Sequence, residues 1–356
     1  MAYLKLYREK LKHNYEYLDA FFGKHDIEWG ITTKVLCGTQ DYLREIVKLD
    51  VGEMHDSRIS NLKKIKEIDP NTTTVYIKPP PQDIIDDVVR YADASLNTEL
   101  PTMHALSKKA VELDKVHKVI IMIEMGDLRE GVMRDDLIDF YEDIFELPGI
   151  EVIGLGTSLN CLHGVMPDED KLIQLSLYKQ IIELRFDKKI PLVSGGTSVM
   201  IPLLIQKRLP SGVNHFRVGE TLFFGKNLFN GETIENMHDD VLELYSQVIE
   251  VSEKPKVPSG ELGVNPQGET VEIDEDDFGE TSYRVILDIG QLDIDPDYLI
   301  PKNDDLSIID ASSDLLILDV GRNKGNYKVG DFIRFKLKYM GALSIMNSNY
   351  IDKVVE

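Results

Sequence analysis

The 356-residue chain contains little cysteine and no long apolar run. Cys37 and Cys161 are its only cysteines, too few for a disulfide framework. No stretch approaches the roughly 20 apolar residues that cross a bilayer, and residues 1–10 lack the apolar core of a signal peptide. These absences predict a cytoplasmic protein with free thiols and no membrane association.

Several signatures of metal and nucleotide sites are also missing. The chain has no HExxH, no paired CxxC and no Walker loop, so we expect no metal site. Its formal net charge of −22 argues against binding to nucleic acid. A hydrophobic content of 42% with 29% charged residues is ordinary for a globular protein.

Short apolar runs alternate with helix-length segments through the first two thirds of the chain. Residues 3–7 alternate like a strand, and residues 8–22 have the pattern of a helix. Eight apolar runs follow, at 30–34, 51–55, 74–78, 94–97, 119–124, 152–156, 191–194 and 214–218. Strands that alternate with helices pair in parallel, and eight units favour a closed (β/α)₈ barrel. An open doubly wound sheet is the alternative, although no GxGxxG follows the first strand.

The composition changes after residue 241. A Pro- and Gly-rich stretch at 253–263 precedes an acidic run at 272–280, which is typical of a solvated loop. Strand-like segments then occur at 283–289, 306–309, 315–320, 331–338 and 345–351. We therefore predict a barrel domain at 1–235 and a smaller all-β domain at 236–356, which the first strand can join.

Polar groups follow three of the predicted barrel strands, on the face where such barrels carry their sites. Lys34 ends the first strand, and an amine there suits Schiff-base chemistry. Residues 194–198 (SGGTS) suit an anion, or form a plain turn and helix cap. Arg217 ends the eighth strand, before the backbone N–H groups of Gly219 and Glu220. Together these groups would hold a phosphorylated aldehyde, and pyridoxal 5′-phosphate (PLP) is the candidate.

This combination resembles the fold-type III PLP enzymes of the alanine racemase superfamily, nearest to the alanine and ornithine racemase-like branch, over essentially the whole chain. The resemblance implies that Lys34 is the Schiff-base lysine and that Arg217 faces the pyridine nitrogen. It implies that the phosphate is bound by Ser198, with Thr197 beside it, and by the backbone of Gly219 and Glu220.

The resemblance also implies how the substrate carboxylate is bound. A family pattern like D-T-G-M-x-R-x-G places the carboxylate-binding arginine on Arg129, within EMGDLREG at 124–131. SSDLLILD at 312–319 is similar to the family's S-M-D segment, where a backbone N–H, here that of Ser313, reaches the substrate of the partner subunit. The implied assembly is a homodimer with sites shared between subunits.

Arg217 separates reaction types on physical grounds. An acid at this position would keep the pyridine nitrogen protonated and make the ring a strong electron sink. Arginine does not give up its proton at neutral pH, so it leaves that nitrogen neutral. The weaker sink fits racemisation better than decarboxylation or transamination.

Four positions depart from the family pattern. The catalytic tyrosine aligns with Asn265, whose amide cannot act as a general base. A second tyrosine, which narrows the substrate pocket, aligns with Gln291, and the tyrosine at the phosphate aligns with Gly38. Met122 stands at the carbamylated-lysine position. The loss of two rings widens the pocket, which favours a substrate larger than alanine, and ornithine is what the branch suggests.

The second proton carrier stays open at this point, with Cys161, His163 and Asp314 as candidates. Residues 55–58 (HDSR) end the second strand and either line the site or cap a helix. The predicted function is a PLP-dependent amino-acid racemase acting on ornithine or a similar larger amino acid. An alanine racemase and a PLP-binding homeostasis protein without robust turnover are the alternatives.

Overall fold

The structure, a computed structural model, describes residues 2–264, 268, 270 and 272–356. Asn265 therefore lies outside the described residues. The chain divides into two compact units, one comprising Tyr7–Val241 and the other formed by residues 2–6 and Leu242–Val354. The N-terminal strand β1 (Tyr3–Leu6) thus belongs with the C-terminal part of the chain.

Eight parallel strands close a barrel in the first unit, which confirms the predicted fold. They are β2 (Glu28–Thr32), β3 (Glu53–Asp56), β4 (Thr73–Tyr76), β5 (Ala94–Asn97), β6 (His117–Met122), β7 (Ile150–Gly156), β8 (Leu192–Thr197) and β9 (His215–Val218). The barrel closes because β9 pairs with β2, with Gly30 level with Arg217. Strands β8, β9 and β2 are consecutive neighbours, so their carboxyl ends meet at one sector of the rim.

Helices separate the strands, as the alternation predicts. They are α1 (Arg8–Gly23), α2 (Gln40–Val47), α3 (Ile59–Ile68), α4 (Ile85–Tyr91), α5 (Leu100–Glu112), α6 (Leu137–Phe145), α7 (Glu169–Phe186), α8 (Ile201–Ile205) and α9 (Glu220–Phe224). Short 3₁₀ turns precede α2, α4, α6 and α8, at Lys34–Leu36, Gln82–Ile84, Arg134–Asp136 and Ser198–Met200. None of the described helices combines the length and the apolar character of a membrane span.

The barrel interior is apolar along some strands and polar along others. Leu96, Ile120, Met122 and Leu192 form an apolar cluster contributed by β5, β6 and β8. Strands β3 and β9 instead bury His55, His215 and Arg217. Buried polar groups carry a desolvation cost unless they are hydrogen-bonded, so this polar part of the interior requires a bonding network.

The second unit is built on an antiparallel sheet. Its further strands are β10 (Leu242–Pro255), β11 (Thr281–Leu287), β12 (Leu299–Pro301), β13 (Ser307–Ala311), β14 (Leu316–Asp319), β15 (Phe332–Leu337) and β16 (Asp352–Val355). The order is β12-β15-β10-β11-β14-β13, and β1 pairs with both β10 and β16. Tyr3 of β1 stacks on Tyr245 of β10, with ring centroids 4.8 Å apart.

One predicted strand of this unit was wrong. Most of the segment 345–351 is not extended, because residues Tyr339–Asn347 form helix α10 and β16 begins only at Asp352. The helix buries Gly341, Ala342, Ile345 and Met346, which lie on one helical face. The apolar residues of the segment therefore follow a helical period, and the strand interpretation misread it.

Candidate active site

Lys34 lies just beyond strand β2, at the first residue of the 3₁₀ turn Lys34–Leu36. The preceding residue fixes this turn to the end of β3. The N–H of Thr33 donates to the carbonyl of His55 at 2.8 Å, and its hydroxyl donates to the carboxylate of Asp56 at 2.8 Å. The amine-bearing side chain itself is exposed. The sequence thus delivers an accessible amine on an anchored backbone.

The carboxylate of Asp56, in the HDSR segment, contacts two neighbouring parts of the chain. One carboxylate oxygen accepts from the N–H of Arg58 at 2.9 Å and from the amide of Asn61 at 3.1 Å, at the start of α3. The other accepts from Thr33, next to Lys34. Burial raises the pKa of Asp56, and these donors oppose the shift. The same carboxylate therefore supports the lysine turn and the segment that leads into α3, whose N-cap residue, Arg58, has no side-chain cap.

The ends of β8 and β9 present donors that converge on one hydroxyl. The hydroxyl of Ser198 accepts from the N–H of Gly219 at 3.4 Å and from the N–H of Thr221 at 3.1 Å. Ser198 is buried, whereas Thr197 beside it is partly exposed. A Cβ at Gly219 would lie 2.9 Å from the carbonyl oxygen of Thr32, so this close approach requires glycine. The arrangement is a small cradle of hydrogen-bond donors.

Glu220 lies in the same sector as Lys34. Burial raises the pKa of Glu220, and the positive charge of Lys34 opposes that rise, which places the two groups within electrostatic range. This sector therefore combines the amine of β2 with the donors of β8 and β9.

Arg217 is buried inside the barrel and is 3% exposed. Its Nη1 donates to the hydroxyl of Ser194, and its Nη2 donates to the carbonyl of Thr157 at 2.8 Å and to the hydroxyl of Ser158 at 3.1 Å. These bonds engage three of the five guanidinium N–H groups. Burial lowers the pKa of Arg217 to about 10, so the group is still protonated at neutral pH.

Arg129 lies on the loop after β6 and forms a bidentate ion pair with Glu130. Burial alone would lower the pKa of Arg129, but the carboxylate of Glu130 outweighs it and raises that pKa. Cys161 lies within electrostatic range of both Arg129 and Arg217, and Arg129 lies within range of Arg217. Arg129, Arg217 and Cys161 therefore belong to one neighbourhood.

A single carboxylate organises the loop that carries Cys161 and His163. Asp127 is 1% exposed and accepts from the backbone N–H groups of Cys161 at 3.0 Å, Leu162 at 2.8 Å, His163 at 3.1 Å and Val165 at 3.2 Å. Asp127 stands two residues before Arg129. It therefore fixes the loop after β7 to the loop that bears Arg129.

Two of the predicted positions lie in the second unit. Ser313 is exposed in the turn before β14, and its carbonyl accepts from the N–H of Leu292 at 2.9 Å. The adjacent N–H of Gln291 donates to the carbonyl of Ser312 at 3.0 Å. The structure thus brings Ser313 and Gln291 together on two neighbouring turns.

The space beside Gly38, where the family pattern has a tyrosine, is taken by another side chain. It is buried with φ +70°, and a Cβ there would lie 2.3 Å from Oδ1 of Asn61. The carbonyl of Gly38 accepts from Nζ of Lys64 at 2.8 Å. Asn61 therefore fills the space into which a larger residue at 38 would project.

Sequence reasoning missed several residues that complete these arrangements: Thr33, Asp127, Thr221, His215 and Glu53. Two of them carry a signal that was available. Alternate residues of a strand lie on the same face of it. His215 therefore lies on the same face of β9 as Arg217, and Glu53 lies on the same face of β3 as His55. The partners of Asp127 are more than 30 residues away, and no local pattern announces them.

An exposed amine, a cradle of donors and a buried cation, all at three neighbouring strand ends, fit the aldehyde, phosphate and ring nitrogen of PLP. The site therefore defines a barrel of the PLP-binding class. A family model described as "Alanine racemase, N-terminal domain" matches residues 7–227. The chain belongs to this family and is a PLP-dependent amino-acid racemase, as the resemblance predicted.

Individual relatives support the same placement. The chain is 39% identical to the ornithine racemase of Acetoanaerobium sticklandii over 345 residues, 97% of this chain and 96% of the relative. It is 30% identical to the lysine racemase of Thermotoga maritima, covering 94% and 92%. The alanine racemase of Bartonella henselae with covalently bound pyridoxal phosphate matches with a TM-score of 0.75 and 14% identity, covering 100% and 99%. That last likeness shows the fold.

Proposed function

We propose that this protein is a PLP-dependent racemase of ornithine. The observation that carries the proposal is the convergence of Lys34, Ser198 and Arg217 at the carboxyl ends of the consecutive strands β2, β8 and β9. The relative named ornithine racemase supports the substrate. The relative named lysine racemase makes lysine the second candidate, because both amino acids carry a side-chain ammonium group.

Lys34 is the residue that would hold the cofactor and move the proton. PLP, when bound, withdraws electrons from the substrate's Cα and thereby acidifies its proton. Nζ of Lys34 would hold the aldehyde of the cofactor and, once substrate takes that place, would take or return the Cα proton on one face. Thr33 and Asp56 keep the backbone of Lys34 fixed during this exchange.

The cradle at β8 and β9 would bind the phosphate. The hydroxyl of Ser198 and the N–H groups of Gly219 and Thr221 supply hydrogen bonds, with Thr197 and Glu220 beside them. Backbone N–H groups at a strand-to-helix turn favour negative charge. These groups anchor the cofactor at one end while Lys34 holds the other.

Arg217 would face the pyridine nitrogen. With a pKa of about 10 it donates a hydrogen bond at neutral pH but keeps its proton. Arg217 would therefore leave that nitrogen unprotonated, a condition that fits racemisation better than decarboxylation or transamination. Arg129 would bind the substrate carboxylate. That carboxylate must displace Glu130 from its ion pair with Arg129, or bind the arginine together with Glu130.

We propose that Cys161 transfers the proton on the face of the substrate opposite Lys34. The residue is exposed, its backbone is held by Asp127, and it lies within electrostatic range of both Arg129 and Arg217. His163 shares the loop, but Nδ1 of its ring is engaged with the carbonyl of Asp127 at 2.9 Å. A thiol opposite Lys34 would take over the role of the tyrosine that the family uses there.

A homodimer completes the proposal. The exposed N–H of Ser313 on a second copy would reach the substrate carboxylate, so each site would need two chains. Light scattering should give a dimer of a 40.5-kDa chain. Mixing inactive Lys34→Ala and Ser313→Pro proteins should restore activity through hybrid dimers with one native site, whereas no recovery would contradict shared sites. A cytoplasmic location is part of the same proposal.

Reduction with borohydride tests the cofactor attachment. Peptide mapping of the PLP-loaded, reduced protein should find the pyridoxyl group on Lys34. Lys64 offers a matched control, because its amine contacts the nearby carbonyl of Gly38. Lys64→Ala should keep the adduct and Lys34→Ala should lose it. An adduct on another lysine, or none, would contradict the assignment.

A further inference from the structure

A chain of hydrogen bonds runs from Arg217 to a carboxylate on another strand. Nη1 of Arg217 donates to Oγ of Ser194, which lies 2.8 Å from Nδ1 of His215. Nε2 of His215 lies 3.3 Å from Oε2 of Glu53, and the same oxygen lies 2.8 Å from Nε2 of His55. Ser194, His215, Arg217 and His55 are all buried.

The barrel register makes room for this chain of bonds. Gly30 of β2 is level with Arg217 on one side and with Glu53 on the other. A Cβ at Gly30 would lie 2.3 Å from Nε2 of His55. The missing side chain therefore lets the groups of β9 and β3 meet across β2.

The direction of each hydrogen bond follows from the two ends of the chain. A guanidinium can only donate and an ionised carboxylate can only accept, so Nε2 of His215 donates to Glu53. In a neutral ring Nδ1 of His215 then accepts the single proton of the Ser194 hydroxyl, which itself accepts from Arg217. His55 also donates from Nε2, while its buried Nδ1 has no hydrogen-bond partner among the described residues. Every proton is accounted for.

The chain of bonds ends on a charged group. Burial alone would raise the pKa of Glu53, but the hydrogen bonds from His215 and His55 outweigh it, so the pKa is lowered and Glu53 is ionised at neutral pH. The three hydrogen-bond acceptors of Arg217 are neutral, and the carboxylate that raises its pKa is Glu130. Glu53 therefore acts on Arg217 through the hydrogen bonds that orient His215 and Ser194.

We propose that Glu53, His215 and Ser194 form a relay that positions Arg217. The relay rests on the proposed function in one respect, because it matters to catalysis only where Arg217 meets the cofactor's ring. These three are positioning residues, since they act through Arg217. A misplaced guanidinium would weaken PLP binding even though the phosphate cradle is intact.

A divalent cation bound by Glu53, His55 and His215 is the alternative to the relay. The ligand atoms of Glu53, His55 and His215 lie within 4.8 Å of one another. A metal would need the lone pair on Nε2 of His215, which forces its proton onto Nδ1. Nδ1–H could not accept from Ser194. The relay and a bound metal ion therefore require opposite tautomers of His215.

The tautomer of His215 tests the relay without the cofactor. Long-range ¹H–¹⁵N correlation on cofactor-free protein with ¹⁵N-labelled histidine distinguishes the two forms, with His215→Gln and His55→Gln to assign the signals. The relay predicts neutral rings protonated on Nε2 for both residues. Protonation of His215 on Nδ1, or a doubly protonated ring, would overturn it.

Affinity for PLP tests the effect on Arg217. Titration of the apo-protein should give a Kd about tenfold higher for Glu53→Gln and Ser194→Ala. Ser95 and His117 form a matched buried pair, 2.8 Å apart on β5 and β6, that does not touch Arg217. Ser95→Ala and His117→Gln should stay within twofold of wild type. Unchanged affinity in both relay variants would overturn the positioning role.

The two readouts separate the relay from the proposed function. If wild-type protein binds no PLP, the proposed function fails, while the tautomer of His215 still decides whether the relay exists. If PLP binds normally but His215 is protonated on Nδ1, the relay fails and the proposed function stands.

Discussion

The hydroxyl of Thr33 donates a 2.8 Å hydrogen bond to the buried carboxylate of Asp56. This bond ties the residue before Lys34 to the end of the neighbouring strand. Positioning of a reactive amine is worth a large factor in rate, since an error of about 1 Å can cost on the order of 100-fold. The entry into α3 and the placement of the proposed catalytic lysine thus share one carboxylate.

Asp56→Asn should reduce kcat/KM by about 10- to 100-fold while the protein stays folded. One carboxylate oxygen becomes an NH₂ group, which cannot accept, so either Thr33 or the donors of Arg58 and Asn61 lose their acceptor. Asp69→Asn is the matched control, because Asp69 accepts from the hydroxyl of Thr72 and the N–H of Asn71 far from Lys34. Equal kinetics for the two variants would contradict the positioning role.

Asp127 should make the stability of the barrel depend on acid pH. Burial alone would raise its pKa, but four backbone N–H groups outweigh this and lower it. A carboxylate whose folded pKa is lowered stabilises the fold above its unfolded pKa of about 4, and the contribution disappears as pH falls through the folded value.

Asp127→Asn should therefore lower the free energy of unfolding by about 1–3 kcal/mol at pH 7, because one oxygen becomes an NH₂ group and two part-buried N–H groups lose their acceptor. Urea denaturation at pH 7 and at pH 3 measures the effect. The difference between wild type and variant should shrink at pH 3. A difference that is the same at both pH values would show that the charge of Asp127 does not contribute to the stability of the fold.

Cys161 should act on one face of the substrate only. In deuterated water, Cys161→Ala should still exchange the Cα proton of the enantiomer that presents it to Lys34. Exchange of the other enantiomer should fall by about 100-fold or more, the usual contribution of a general acid–base group. His163→Gln should leave the exchange rates of both enantiomers close to those of the wild type. A one-sided loss in His163→Gln instead would move the assignment to the histidine.

Much of the fold was predictable because each element has a local signal. The alternation of apolar runs and helical segments predicts the eight barrel units, and the confirmed barrel places Lys34, Ser198 and Arg217 at adjacent strand ends. The boundaries were less accurate. Strand β2 ends at Thr32, so Lys34 is in the following turn and not in the strand.

The missed features depend on contacts between distant residues. Asp127 and Cys161 are joined across 34 positions, and Glu53 and His215 across 162. No spacing in the sequence marks such a pair, because it arises only when the barrel closes. The helix α10 was missed for another reason, since its small and apolar residues fit a short strand as well as a helix.

Formation of D-ornithine from L-ornithine tests the central claim most directly. Chiral chromatography of PLP-loaded protein incubated with either pure enantiomer should show conversion toward an equal mixture, with lysine slower and alanine slower still. In deuterated water each product should carry deuterium at Cα, and Lys34→Ala should show no conversion. Protein that binds PLP through Lys34 yet converts neither ornithine, lysine nor alanine would contradict the proposed racemase.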